Sequence, residues 1–239
     1  TVVRIGAERP LAVFSYPDEP HQLGPEGCIE LGGAADLDAL FDELGCEQLL
    51  AGSAGPPSEP SGRLDPFTIG ACIGATSPEG MIVVDEGQTS SLGLWEALAG
   101  VPHDLLALTG GAIGSGPPLA VGAAIGAPGR RVVNLQGDGS ALYSLGAWWT
   151  QAAHGLDVTT VVIDNGAYAI LDLELARSGK RAAAGGPLTS LRSPALDFVR
   201  LAEGYGVPAT RVDDCSSLCA ALRRSNATPG PSVIHAVAR

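Results

Sequence analysis

The chain has 239 residues, 45% hydrophobic and 17% charged, so it can bury a substantial core without disulfide or metal staples. Fourteen Lys and Arg stand against 26 Asp and Glu, and the net charge of -12 repels phosphate backbones and anionic lipid surfaces. Apolar runs such as LAVGAAIGA (119–127) fall well short of the ~20 residues of a spanning helix, so nucleic acid and membrane are both excluded as expected partners. The first residues do not read as a secretory leader, and five scattered cysteines (Cys28, Cys46, Cys72, Cys215, Cys219) fit reduced thiols better than a secreted framework, so the expectation is a cytoplasmic protein.

In chain order, LAVFSY (11–16) and CIEL (28–31) read as short extended pieces separated by the turn-rich YPDEPHQLGPEG. Asp36 is placed to cap a helix whose Leu37, Leu40, Phe41 and Leu44 recur at helical spacing, with Gly45 at its stop. Residues 51–62, AGSAGPPSEPSG, have the composition of an exposed tether. The expected organisation is a partial domain over 1–50, a linker over 51–64 and a main domain over 65–239.

The main domain opens with Asp65 as N-cap and Pro66 as first helical residue. MIVVD (81–85), RVVNLQ (131–136), VTTVVI (158–163) and SVIHAV (232–237) are β-branched runs apolar on both faces, as central parallel strands are. Helical stretches over 89–99, 118–126, 140–154, 194–204 and 216–226 supply the crossovers. The predicted fold class is α/β, a doubly wound, mostly parallel sheet preceded by a fragment of a second α/β domain. Ligands of such sheets bind at the carboxyl ends of the strands.

Gly137-Asp138-Gly139-Ser140 follows one strand directly, and Asp164-Asn165-Gly166 ends the next; Asp138 and Asn165 lie 27 positions apart, enough for a helix and a strand. Parallel winding then sets Asn165 beside Asp138, where a carboxylate, an amide oxygen and a backbone carbonyl suit a hard divalent cation that keeps positions for water and phosphate. Gly139 and Ser140 open the following helix, whose free amides favour a phosphate. A GDG tripeptide alone is more often a plain strand-to-helix turn. Its convergence with Gly110-Gly111-Ala112-Ile113-Gly114 and Glu86-Gly87-Gln88-Thr89 on one rim favours the binding reading. The sequence has no G-x-G-x-x-G after a strand, no P-loop and no G-x-S-x-G, and its four histidines lack zinc-site spacing. Cys215 and Cys219 read as buried small side chains, and Tyr143, Trp148 and Trp149 as core or interface.

These motifs resemble those of the thiamine diphosphate (ThDP) enzymes related to acetolactate synthase and benzoylformate decarboxylase. The likeness covers 65–239 as their diphosphate-binding domain, with 1–50 similar to the end of their central domain. The family signature is GDG followed at this interval by Asn-Asn, and here Asp164 stands at the first Asn. The resemblance implies Mg²⁺ held by Asp138, Asn165 and the main-chain carbonyl of Ala167. It implies further cofactor contacts from Gln88, Thr89, Gly137, Gly139, Ser140 and Tyr168, although Gln88 and Thr89 read equally well as a polar helix start. It also implies catalytic positions at Gly111, whose carbonyl would meet the 4'-amino group, and Ile113, which would bend the cofactor from beneath. Ile170, Leu171 and Glu174 would border the substrate. SGKRAAAGGP (178–187) reads as a lid or as a plain surface loop.

The implied activity is ThDP- and Mg²⁺-dependent decarboxylation of a small 2-oxo acid with carboligation, as in acetolactate synthase. The alternatives are a benzoylformate-type decarboxylase releasing an aldehyde, an inactive ThDP-binding subunit, or a non-thiamine phosphate-binding domain. Nothing in these residues corresponds to the family's pyrimidine-binding domain with its N1' glutamate. A partner domain or subunit and a homo-oligomer, dimer or tetramer, are therefore expected, and FAD is unassigned.

Overall fold

The computed structural model describes residues 2–5, 18, 20–25, 27–45, 55–179 and 186–238. The chain divides into two compact units, Thr1–Gly52 and Ser53–Arg239. In the first, β1 (Val3–Ile5) pairs in parallel with β2 (Ile29–Leu31), and α1 (Ala34–Leu44) follows. Asp36 does not cap this helix as expected. The helix starts earlier, at Ala34 behind Gly33, and Asp36 lies in the first turn, where its carboxylate accepts from Gly32 N–H at 2.5 Å. Gly45 closes the helix in the left-handed conformation, as its position predicts. The expected strand LAVFSY lies outside the described residues.

The second unit is a six-stranded, all-parallel sheet in the order β4-β3-β5-β6-β8-β7. Its strands are β3 (Met81–Glu86), β4 (His103–Ala107), β5 (Val132–Gly137), β6 (Val158–Asp164), β7 (Ala209–Val212) and β8 (Ser232–Val237). The four strands read from sequence are the four central ones. The edge strands β4 and β7 escaped that reading because each is only partly buried and mixes charge with apolar residues.

Alternation along each strand sends side chains to two helix layers. Val83, Leu135, Val161 and Ile234 pack with Ile69, Ile73, Leu218 and Leu222 of α2 (Pro66–Thr76) and α9 (Cys215–Ala227). On the other face, Ile82, Val84, Val132 and Val158 meet Ala120 and Ala124 of α4 (Gly116–Gly126). Farther along that face, Val162 and Val233 meet Trp148 of α6 (Gly146–His154) and Phe198 of α8 (Phe198–Gly204). Both faces of the central strands are thus buried, which is why they read as runs rich in β-branched residues.

Two expected helices are interrupted. The stretch 89–99 is a 3-10 turn (Gln88–Ser90) and a short α3 (Leu94–Leu98), with Gly93 N–H tied to the Pro66 carbonyl. The stretch 140–154 is the four-residue α5 (Asp138–Ala141) and then α6, because Tyr143 and Ser144 bond back three residues rather than four and Gly146 restarts the helix. The positive end expected after GDG is therefore a single turn. A helix absent from the sequence reading, α7 (Ala169–Arg177), follows the Asn165 turn. No helix among the described residues is long and apolar enough to cross a membrane.

The entry to α2 is a full capping box: the Asp65 carboxylate accepts from Phe67 and Thr68 N–H at 2.8 Å each, and the Thr68 hydroxyl accepts from Asp65 N–H at 2.8 Å. The bond from Thr68 N–H, more than any other influence, holds the Asp65 carboxyl below its ordinary value of 3.8. Asp65→Ala is expected to cost about 1 kcal/mol at neutral pH. Because the folded value is lowered, the penalty is full above the ordinary carboxylate range and fades as pH falls through the lowered one. Urea unfolding of both proteins at several pH values measures this, and a gap that widens in acid contradicts it.

Candidate functional site

The sheet order reverses direction at β3: the chain leaves it for β4 on one side, then crosses back through α4 to β5 on the other. Such a reversal opens a crevice at the carboxyl ends of the two strands. The segments singled out in the sequence gather here. Gln88 and Thr89 occupy the 3-10 turn after β3, with Gln88 exposed and at φ 53°, a left-handed conformation uncommon outside glycine. Gly111 and Ile113 lie in the loop between β4 and α4, and Ile113 is 40% exposed. Gly137 ends β5, Asp138, Gly139 and Ser140 form α5, and Asn165, Ala167 and Tyr168 follow β6. Ile170, Leu171 and Glu174 are on α7 beside the 3-10 turn, with Glu174 paired to Arg177 at 3.2 Å.

Hydrogen bonds tie these segments together. The Asp138 carboxylate, 2% exposed, accepts from Gly139 N–H at 2.8 Å and from Gly166 N–H at 2.7 Å, joining the tips of β5 and β6. Asn165 turns its oxygen to Ala167 N–H at 2.9 Å and donates its amide to the Ser90 hydroxyl at 3.2 Å, which reaches the turn after β3. Ser140 is already engaged: its hydroxyl accepts from Gln136 at 2.5 Å and donates to the Gly137 carbonyl at 3.2 Å. A β-carbon on Gly139 would stand 2.3 Å from the Tyr168 ring, so the absence of a side chain there lets Tyr168 lie across the turn. A strap over 186–192 backs the Asn165 loop. Leu191 N–H bonds the Gly166 carbonyl, Tyr168 N–H bonds the Thr189 carbonyl, and the Arg192 guanidinium donates to the Asn165 carbonyl at 2.9 Å. Most of the suspected lid, 180–185 with Lys180, lies outside the described residues.

Burial pushes the Asp138 carboxyl up to about 6, against the pull of the Gly166 and Gly139 N–H groups, and the neighbouring Asp164 adds to the rise. Asp164 goes the other way. The hydrogen bond from His235 Nε2 to its carboxylate at 2.9 Å holds it below the ordinary value. His235 is fully buried and stacks edge-on against Phe198 at 5.3 Å between ring centres. Its partnership with Asp164, like the contacts of Ser90 and Arg192, escaped the sequence reading. One signal was present: a lone histidine in the β-branched run SVIHAV, on a strand that could neighbour the carboxylate at the end of VTTVVI.

The donor set fits a divalent cation. A buried carboxylate with its proton affinity raised by desolvation, near a second carboxylate and on the loop that carries the Asn165 amide oxygen, supplies the oxygen donors that a hard cation takes.

A family model described as the thiamine pyrophosphate enzyme C-terminal TPP binding domain matches residues 91–236, more than half of the chain. The chain belongs to this family of thiamine pyrophosphate enzymes. Its relatives include a Mycobacterium tuberculosis H37Rv protein provisionally named acetolactate synthase large subunit IlvX, 47% identical over 99% of this chain and 48% of that protein. Benzoylformate decarboxylase of Pseudomonas aeruginosa PAO1 is 31% identical over 84% of this chain and 38% of its own length. The solved structure of the ThDP-dependent 4-hydroxybenzoylformate decarboxylase of Rhodococcus jostii RHA1 matches with a TM-score of 0.72 and 25% identity, over 97% of this chain and 48% of that one. The chain thus spans about half the length of these relatives, or less.

Gly139→Ala is expected to cost about 1–3 kcal/mol by driving a methyl into the Tyr168 ring. Adding Tyr168→Ala should recover much of that loss, a coupling that chemical denaturation of the two single variants and the double variant measures. Strict additivity would contradict the contact.

Proposed function

We propose that this chain is the cofactor-holding portion of a ThDP- and Mg²⁺-dependent enzyme that decarboxylates a small 2-oxo acid and passes the product to a second carbonyl compound, as an acetolactate synthase does. The observation that carries the reading is the buried Asp138 carboxylate clasped to the Asn165 loop at the switch point of the sheet. In this reading Asp138, Asn165 and the Ala167 carbonyl hold Mg²⁺, and Gln88, Thr89, Gly137, Gly139, Ser140 and Tyr168 surround the diphosphate. Bound ThDP supplies an electron sink for the pair released as CO2 leaves.

The chain's own residues do the positioning. Asp138 is oriented by the Gly139 and Gly166 N–H groups and Asn165 by Ala167 N–H and Ser90, and in these positions the two would hold the cation. Gly111 would offer its carbonyl to the aminopyrimidine and Ile113 an apolar support, consistent with its 40% exposure on the rim. Ile170, Leu171 and Glu174 would border the substrate. Residues 1–50 would be the end of a central domain, 51–64 a linker and 65–239 the ThDP domain. The remainder of the site, including the N1' glutamate, would come from a pyrimidine-binding domain or subunit within a cytoplasmic homo-oligomer. Exposed Trp95, Ile125, Tyr143 and Trp149 are consistent with such contacts. Two relatives named for benzoylformate-type decarboxylation favour a second reading, release of the aldehyde without a second carbonyl compound.

The test is thermal unfolding of the full-length protein with Mg²⁺, ThDP, both or neither. A ligand at about a hundred times its Kd stabilises the native state by about 2.7 kcal/mol, so both together should raise Tm by several degrees. Asp138→Ala should abolish the rise. CO2 release from pyruvate and from benzoylformate, with product analysis, then separates the two activities. A Tm indifferent to ThDP, or an equal rise in the Asp138→Ala variant, would defeat the proposal.

A further inference from the structure

The row of side chains that β3 and β5 turn toward α4 changes character along its length. It is apolar at the amino end, with Ile82, Val84 and Val132 in the core, and polar at the carboxyl end, with Glu86, Asn134 and Gln136. Glu86 pairs in register with Gln136, and Val84 with Asn134. All three polar side chains are at most 1% exposed. A buried carboxylate there needs a reason, and the sequence reading left Glu86 without a role. Its two oxygens accept hydrogen bonds from Gly114 N–H and Gly116 N–H, the last residues of the 110–116 loop and the first of α4.

Several features make this a built clamp. Pro117 and Pro118 remove two of the N–H groups that a helix start leaves unpaired, so Gly116 N–H is among the few donors left there for a carboxylate to take. A β-carbon on Gly116 would stand 2.3 Å from Gln136 Oε1, 2.7 Å from Glu86 Oε2 and 2.9 Å from Asn134 Oδ1, so only glycine permits the approach. Gln136 carries the network onward through Ser140 to the Gly137 carbonyl, within the turn that holds Asp138. Its Oε1 and both polar atoms of Asn134 have no partner among the described residues, a cost that a purely structural core would avoid. The loop's far end contains Gly111 and Ile113.

We propose that Glu86 is a positioning residue: by gripping Gly114 and Gly116 it sets where Gly111 and Ile113 stand relative to the Asp138 turn, and so fixes the pyrimidine half of the ligand without touching it. This inference rests on the ThDP reading of the site. It predicts a division that general damage would not produce. Glu86→Gln keeps size and shape but faces one backbone N–H with an amide instead of an oxygen. In the full-length protein, ThDP with Mg²⁺ should bind about tenfold more weakly, the scale of one lost bond to a charged group. Inorganic pyrophosphate with Mg²⁺ needs only the Asp138 turn and should bind within about twofold of the unmodified protein.

Equal weakening of both probes, or of neither, overturns the proposal. Should Glu86→Gln not fold, Glu86→Asp, which keeps the charge but withdraws it by one methylene, should show the same division, and absence of it overturns the proposal as well. Hydrogen exchange decides the clamp independently of any ligand: the Gly114 and Gly116 amides should be protected in the unmodified protein and exposed in either variant. Rapid exchange in the unmodified protein refutes the clamp. If the unmodified protein binds neither probe, the ThDP reading fails and Glu86's role toward the ligand fails with it. Protection of the two amides would then leave the clamp standing.

Discussion

One carboxylate joins the working edge of this sheet. Asp138 sits where β5 ends, loses nearly all contact with water, and takes a backbone N–H from its own turn and another from the turn after β6. Burying a charge is expensive, and two amide bonds offset only part of the penalty, as the rise of its pKa to about 6 records. The arrangement holds because the sheet beneath is dry on both faces and leaves the two strand ends little freedom to separate. Gly139 without a side chain, Tyr168 across it and the strap over 186–192 all follow from keeping that junction closed.

Asp138 and Asp164 are close in space yet sit in opposite environments. Asp164 has His235 as a partner and stays ionised easily. Asp138 has only neutral N–H groups, and Asp164 makes its position worse. Two acids have their proton affinities driven apart, and one of them lacks a counter-charge; in the proposed reading a bound cation would supply it. Membership in the thiamine pyrophosphate enzyme family gives that preparation a context, because the match covers the strands and turns that carry both carboxylates.

The same logic extends along β3 and β5. A sheet optimised only for stability would keep its α4 face apolar to the end; here the last residues are Glu86, Asn134 and Gln136, with several polar atoms unpaired among the described residues. Sequences break their local rules at functional sites and compensate elsewhere. The compensation is visible in the two hydrophobic layers, where Trp148, Phe198, Leu218 and Leu222 are fully buried.

Much of this was legible in the sequence, for identifiable reasons. Central strands buried on both faces are rich in β-branched residues, so β3, β5, β6 and β8 declared themselves, and Asp65-Pro66 marks a helix start by hydrogen bonding within three residues. The GDG turn and Asn165 were found because an interval of 27 residues allows one parallel return. Strands β4 and β7 were invisible because an edge strand need satisfy only one neighbour. The breaks inside 89–99 and 140–154 were missed: Gly93 N–H is tied to Pro66 of α2, and Tyr143 and Ser144 N–H bond back three residues instead of four. The Asp164–His235 bond spans 71 positions, and the contacts of Glu86 with Gly114 and Gly116 span 28 and 30. The chain by itself determined which segments are the four central strands, where the GDG and Asn165 turns fall and which family they belong to. Which donors meet, which carboxylate lacks a counter-charge and which loop is pinned were decided only by strand order, since a hydrogen bond depends on neighbours in space that local sequence does not choose.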